Sequence, residues 1–308
     1  MQEGIDALQL NLNTGGLMVM NASLFFIMFG VALELTIQDF KDLAKNPKST
    51  IGGVFSQFIF LPAITYLVII ILQPHPSLAL GMMMVAACPG GNISNFFSQL
   101  AGGNIALSVT MTAIATLLAI FATPLNFMFW ASLYEPTNAI LREVSLDLSE
   151  VFRIVVIILG IPLILGMTVR HFKKELALKL TKWIKGFGVI FFAGFILVAF
   201  SMNLDNFVEN VHYVVGYVFI HNALALVGGF TIATILKLSI EDRKSISVET
   251  GIQNSGLGLL LIFNFFGELG GMALIAAWWG IWHIIMGFAI GWYWSIGKAS
   301  LQKVFSNA

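Results

Sequence analysis

Charge is what this sequence has least of. Asp, Glu, Lys and Arg make up 10% of its 308 residues, whereas a water-soluble domain carries roughly 25%. With 58% hydrophobic residues and a mean hydropathy of +0.88, that shortfall excludes a soluble globular protein. Cysteine is nearly absent as well. The single Cys88 rules out an intrachain disulfide, and a lone thiol of this kind is usually packing. His and Cys nowhere fall at metal-ligand spacing. No GxxxxGK motif is present, which argues against a pump hydrolysing ATP within this chain. Nothing forms a nucleic-acid footprint, and no low-complexity tail or separate soluble domain is left over.

What is present is apolar length. About nine stretches are long enough to cross a ~30 Å hydrocarbon core: 17–36, 50–73, 77–100, 104–131, 151–171, 183–203, 212–236, 243–266 and 270–297. Their close spacing predicts an all-α polytopic membrane protein with one transmembrane domain over 1–308. Apart from Arg142 and Arg153, every lysine and arginine falls on one side of this arrangement. They sit in 37–49, 170–185, 237–244 and the C-terminal tail. By the positive-inside rule those segments face the cytoplasm, so the N-terminus is outside and the C-terminus inside. The flank before the first stretch carries Glu3 and Asp6 and no basic residue. A signal peptide has a positive flank there, so 17–36 is read as a span.

Two stretches are interrupted. After Leu78–Cys88 the third meets Pro89-Gly90-Gly91-Asn92-Ile93-Ser94-Asn95, and the eighth breaks around Gly251–Gly256. Pro removes a backbone donor and Gly disfavours helix, so both should unwind in mid-membrane. Unwound backbone is tolerated there only when packed in protein or lining a wet cavity. Interrupted spans at matching places in the two halves point to a secondary-transporter site near the midplane. Ordinary helix kinks are the plainer alternative, but these two breaks carry several amide and hydroxyl side chains.

Polar side chains at membrane depth cluster around the same places. Glu249 lies one turn before the second break, and a carboxylate at that depth is costly enough to suggest a substrate or ion path. Ser108 and Thr112, four apart, share a helix face. Gln57 precedes a kinking Pro62. With Ser94, Asn95 and Gln253 these make one carboxylate among neutral oxygens, a set that suits a hard monovalent cation. Each residue also has a blander reading. Ser and Thr bond their own i−4 carbonyls, Gln57 can join helices, and a buried carboxyl can be protonated against a neighbour. His221 and His283 can be interhelical hydrogen-bonders, and they lack the spacing of an intramembrane enzyme's metal or catalytic pair.

These residues resemble the bile acid:sodium symporter family. One hallmark reads Cys88-Pro-Gly-Gly-Asn-Ile-Ser-Asn95, followed by Leu100-Ala-Gly-Gly-Asn-Ile-Ala-Leu-Ser108. The other reads Val248-Glu-Thr-Gly-Ile-Gln-Asn-Ser-Gly256, and the similarity covers roughly 20–297. The resemblance implies an inverted-repeat fold lacking its first helix, with core and panel domains and two discontinuous helices crossing in the core. Segments 17–36 and 151–171 would belong to the panel, and 50–131 and 212–297 to the core. It further implies a first Na+ site of Ser94, Asn95, Ser108, Thr112 and Glu249. A second would use Gln57, Glu249, Gln253 and the carbonyls of Thr250 and Ile252. Asn92, which replaces the smaller hydroxyl residue frequent in bacterial relatives, would face substrate with Asn254 and His283.

The function expected is sodium-coupled import of a bile acid or related organic anion by alternating access. It would be carried out by a monomer in the bilayer of a cell membrane, with a bacterial inner membrane as the expected setting. The competing reading is a proton-coupled carrier of a small acid such as pantoate, with Glu249 as the relay.

Overall fold

The apolar stretches fold as helices in the computed structural model, which describes residues 14–36, 38, 47–144, 147–181, 183–184, 186–187, 190, 204–267 and 269–306. In chain order the named helices are α1 (Thr14–Ala32), α2 (Pro47–Leu72), α3 (Pro76–Ala87), α4 (Ile93–Leu100), α5 (Ile105–Ser132) and α6 (Glu135–Glu143). There follow α7 (Leu148–Phe172), α8 (Leu204–Ile235), α9 (Ile240–Gly251), α10 (Ser255–Phe265) and α11 (Gly270–Ser306). Among the described residues six helices, α1, α2, α5, α7, α8 and α11, are long and apolar enough to cross a membrane. The expected spans 77–100 and 243–266 each appear as two half-helices, α3 with α4 and α9 with α10. The expected span 183–203 lies largely outside the described residues, as do Lys41, Lys45, Lys182 and Lys185.

Three boundaries differ from expectation. The first break is confined to residues 88–92, because Ile93–Asn95 already belong to α4. The last helix runs on to Ser306. The connector 132–150 contains a helix, α6, with Pro136 in its first turn, where a missing N–H is harmless. Glu135 stands at the N-terminal end of α6 and Arg142 in its last turn, the order that complements the helix dipole. The Arg142 guanidinium donates to Glu135 at 2.5 Å and holds that carboxyl below its ordinary range. At the start of α7, Asp147 accepts from the Ser149 backbone N–H at 2.8 Å, a cap that lowers its carboxyl likewise.

The helices pack around α3, in which every residue from Ser77 to Ala87 is buried, as suits a helix apolar all round. Small residues bring backbones together. A Cβ at Gly81 would stand 2.9 Å from the Met272 carbonyl oxygen of α11, and one at Gly166 of α7 would stand 2.5 Å from the Ala32 Cβ of α1. This is how membrane helices gain packing energy where burial from water adds nothing.

Both α2 and α7 contain one wide π-type turn, Ser56–Phe60 and Val156–Gly160, each followed closely by a proline, Pro62 and Pro162. Pro62 carries no N–H for the preceding turn. The Phe58 carbonyl, four residues before it, instead accepts from Asn126 Nδ2 on α5 at 3.0 Å. A buried polar group is thereby paired across two helices. The wide turn also lets the adjacent residues Ser56 and Gln57 both face α9.

Candidate cation and substrate site

The two breaks meet each other. Gly91 N donates to Ile252 O at 2.9 Å, and Asn254 N donates to Pro89 O at 2.8 Å, so Gly90 and Gln253 pair as a short antiparallel bridge. Backbone released by the loss of helix is thus satisfied by backbone of the other break. Glycine permits the approach: a Cβ at Gly90 would lie 2.7 Å from Glu249 Oε2 and 2.8 Å from Gln57 Nε2.

Glu249 sits at this crossing with no exposed surface. Its Oε1 accepts from Ser94 Oγ at 2.5 Å, Ser108 Oγ at 2.6 Å and Thr112 Oγ1 at 2.9 Å. Its Oε2 faces Gln57 Nε2 at 3.3 Å. Ser94 comes from α4, Ser108 and Thr112 from α5, and Gln57 from α2, so one carboxylate joins four helices including its own α9. No cationic side chain forms an ion pair with it among the described residues.

Acceptors outnumber hydrogens around Glu249. Ser108 has one hydroxyl hydrogen, yet Glu249 Oε1, Asn95 Oδ1 at 2.8 Å and Ser98 Oγ at 3.0 Å all lie within reach of it. Thr112 faces the Ser108 carbonyl at 3.0 Å and Asn95 Oδ1 at 3.2 Å besides the carboxylate. On the other side of the crossing, Gln57 Oε1 and Gln253 Oε1 are buried with no donor. Their Nε2 atoms donate to Glu249 O at 3.0 Å and Thr250 O at 2.7 Å. A buried, acceptor-rich pocket around a single carboxylate matches what an oxygen-liganded monovalent cation requires. Among the described residues no group of three or more His, Cys, Asp or Glu could hold a metal.

The five residues expected at the first cation site share one hydrogen-bonded cluster. Of those expected at the second, Gln57 meets Glu249 and Gln253 meets the Thr250 carbonyl, while the Ile252 carbonyl accepts from Gly91 N. The three residues expected to face substrate are more dispersed. Asn92 and Asn254 immediately precede the half-helices α4 and α10, and both are partly exposed. Asn254 Oδ1 accepts from Leu257 N at 3.0 Å, capping α10. His283 on α11 is 5% exposed and its Nδ1 has no partner. One turn away on the same helix, a Cβ at Gly280 would meet Ser255 Oγ at 2.8 Å, which puts this stretch of α11 beside the start of α10.

A family model for sodium bile acid symporters matches residues 22–210. The chain belongs to this family. Its members are sodium-dependent transporters rather than enzymes. At 33% identity the chain is similar to the "uncharacterized sodium-dependent transporter YocS" of Bacillus subtilis, covering 87% of this chain and 80% of that one. It is 29% identical to the "probable sodium/metabolite cotransporter BASS1, chloroplastic" of Oryza sativa over 79% of this chain and 58% of the relative. To the mouse "P3 protein" it is 28% identical over 76% and 48%. The chain thus spans about half the length of several relatives and four-fifths of YocS.

Sequence reasoning missed two participants. Ser98 is fully buried against Ser108, and its spacing of four from Ser94 on α4 was the available signal. Ser56 Oγ lies 2.6 Å from Thr250 Oγ1. No pattern marks it, because its orientation depends on the wide turn in α2.

Proposed function

We propose that this member of the sodium bile acid symporter family imports an organic anion together with two sodium ions, both held at the crossing of the two broken helices. The observation that carries the reading is the placement of Glu249. One buried carboxylate faces three hydroxyls on one side and Gln57 on the other, next to orphaned amide oxygens. The first ion is assigned to Ser94, Asn95, Ser108, Thr112 and Glu249. The second is assigned to Gln57, Glu249, Gln253 and the carbonyls of Thr250 and Ile252. Sodium supplies the positive charge that this pocket lacks, and sharing Glu249 makes each ion support the other.

The coupling follows from the position of the crossing. The N-terminal ends of α4 and α10 start at the breaks, and a half-helix N-terminus favours an anionic group. Asn92 and Asn254 flank those ends, and His283 stands nearby on α11. Tying the breaks together with sodium orients these groups, so substrate binds best when sodium is present. In this reading α1 and α7 belong to a panel, and α2–α5 with α8–α11 belong to a core that moves against it. The N-terminus is external and the C-terminus cytoplasmic. Relatives are named for sodium/metabolite and sodium/bile acid cotransport, which supports an organic anion as the substrate class.

The test is thermal stabilisation of the purified protein by taurocholate, pantoate and other organic anions, with sodium or with choline. The reading expects at least one anion that raises the melting temperature only in sodium and is then taken up into proteoliposomes along a sodium gradient. Uptake of that anion unchanged in choline and driven by a proton gradient would overturn it in favour of proton coupling.

A further inference from the structure

The end of α9 releases a run of carbonyls in mid-membrane, and each has a donor. Val248 O accepts from Ile252 N at 2.8 Å, Glu249 O from Gln57 Nε2 at 3.0 Å and Thr250 O from Gln253 Nε2 at 2.7 Å. Ile252 O accepts from Gly91 N at 2.9 Å. The remaining carbonyl, Gly251 O, accepts from Asn222 Nδ2 on α8 at 2.7 Å. Gln57 and Gln253 belong to the cation cage. Asn222 approaches from α8 and belongs to no assigned site.

Gly251 is the softest point of the break. It has no side chain to fix its peptide plane, and its Cβ could not be accommodated, since it would stand 2.3 Å from Leu226 Cδ2 of α8. It lies between Thr250 and Ile252, whose carbonyls are the two assigned to the second cation. Ile252 has already left the helical region, with φ −111° and ψ 87°. The direction of the Gly251 carbonyl therefore sets where the next carbonyl points, and Asn222 holds that direction.

Asn222 is itself well anchored. On the preceding residue, His221 Nε2 lies 2.6 Å from Thr65 Oγ1 of α2, and its ring stands 4.5 Å from that of Trp279 on α11. Thr65 gives its only hydroxyl hydrogen to Leu61 O at 2.7 Å, so His221 Nε2 carries the hydrogen between the two. Ser247 Oγ of α9 donates to Leu226 O of α8 at 2.7 Å, fastening the two helices again four residues from the break. Asn222 Oδ1, by contrast, is buried without a donor. An unpaired buried acceptor is costly, and leucine would fill similar space without it. Packing alone does not explain an asparagine there, whereas the need for an N–H donor does.

We propose that Asn222 is a positioning residue for the second cation site, acting through the Gly251 carbonyl. The inference rests on the sodium reading above. Loss of an outer partner that orients a metal ligand typically weakens ion affinity about 10- to 100-fold, and a shift in that range is expected here.

The experiment titrates sodium against choline at constant ionic strength and follows melting temperature and tryptophan fluorescence of the purified full chain. Wild type is compared with Asn222→Leu, Asn222→Ser and Thr65→Val. The expected result is a raised half-saturating sodium concentration for both Asn222 variants, even where the unpaired Gly251 carbonyl lowers the sodium-free melting temperature as much as Thr65→Val does. Thr65→Val removes an anchor of α8 without touching Gly251, and should lower the sodium-free melting temperature while leaving sodium half-saturation in place. If Asn222→Leu does not fold, the smaller Asn222→Ser carries the same expectation. Unchanged sodium half-saturation in the Asn222 variants, against a responsive wild type, overturns the role of Asn222 alone. An equal shift in Thr65→Val also overturns it, by showing general softening. A wild type that ignores sodium overturns the cage itself, and this inference with it.

Discussion

Asn21 of α1 and Asn264 of α10 exchange amide hydrogen bonds, at 3.1 Å from Asn264 Nδ2 to Asn21 Oδ1 and at 3.4 Å in the other direction. Apart from packing, this is a polar link between a helix of the proposed panel and a half-helix of the proposed core. It lies on the face away from the basic 237–244 connector, the proposed external side. Phe121 of α5 and Phe152 of α7 pack with tilted rings on that side as well, their centroids 6.0 Å apart. In the proposed arrangement both contacts bridge core and panel on that side, and opening a path between them would require the asparagines to separate. Interhelical hydrogen bonds in membranes average only about 0.6 kcal/mol, weak enough to break in every cycle.

The first prediction follows from that geometry. Asn21→Cys with Asn264→Cys, joined by a short thiol crosslinker, should stop sodium-driven uptake. Reductive release of a cleavable linker should restore it. Cys88 is buried and should not react. Uptake at the wild-type rate in the crosslinked protein would show that this contact does not open during transport.

Gly90 tests the cradle directly. Gly90→Ala places a methyl group among Glu249 Oε2, Gln57 Nε2 and the Glu249 carbonyl oxygen, the last at 3.1 Å. Cation binding should weaken by at least about 10-fold, the scale on which misplaced metal ligands act. The half-saturating sodium concentration for thermal stabilisation reads this. Gly186, with nothing within 4 Å of its would-be Cβ among the described residues, is the matched control: Gly186→Ala should leave sodium dependence as it is.

Much of this was legible in the chain, and the reason is the membrane. Scarcity of charge made Glu249 conspicuous, and Pro89-Gly90-Gly91 could not continue a helix whatever surrounded it. Those two facts located the breaks, and the resemblance to the bile acid:sodium symporter family implied that they cross. The hidden parts depend on three-dimensional accidents of backbone. Gln57 and Ser56 face α9 together only because α2 widens between Ser56 and Phe60, and nothing in SQFIF announces a wide turn. Asn222 carried no signal because its partner, the Gly251 carbonyl, is a backbone atom with no residue-type signature. The helix α6 was missed because its nine residues are too short and polar to show an apolar period.

Removing the shared carboxylate should be decisive. Glu249→Ala is expected to abolish both sodium-dependent stabilisation and sodium-driven uptake, since both proposed sites lose their only negative charge. Glu249→Gln keeps the shape and a hydrogen-bond acceptor for Ser94, Ser108 and Thr112. It should therefore fold better than Glu249→Ala and still fail to respond to sodium. Sodium-coupled uptake by either variant, at the wild-type rate, would remove Glu249 from the coupling mechanism.

The last prediction concerns how the bent helix next to the cage is held. Asn126 Nδ2 serves the Phe58 carbonyl because Pro62 offers no N–H to it. Asn126→Leu leaves that carbonyl unpaired one residue from Gln57, and should destabilise the protein by about 1–3 kcal/mol, the penalty for an unsatisfied buried acceptor. Pro62→Ala restores a backbone N–H within reach of the same carbonyl. In that background Asn126→Leu should cost far less, so the two substitutions are non-additive in a double-mutant cycle. Melting in detergent measures the cycle, and sodium titration adds a functional reading. If Asn126 sustains the wide turn that aims Gln57 at Glu249, sodium half-saturation rises in Asn126→Leu and returns toward wild type only if Pro62→Ala keeps the turn. A straightened α2 would instead rotate Gln57 away from α9, giving a protein that is stable and blind to sodium.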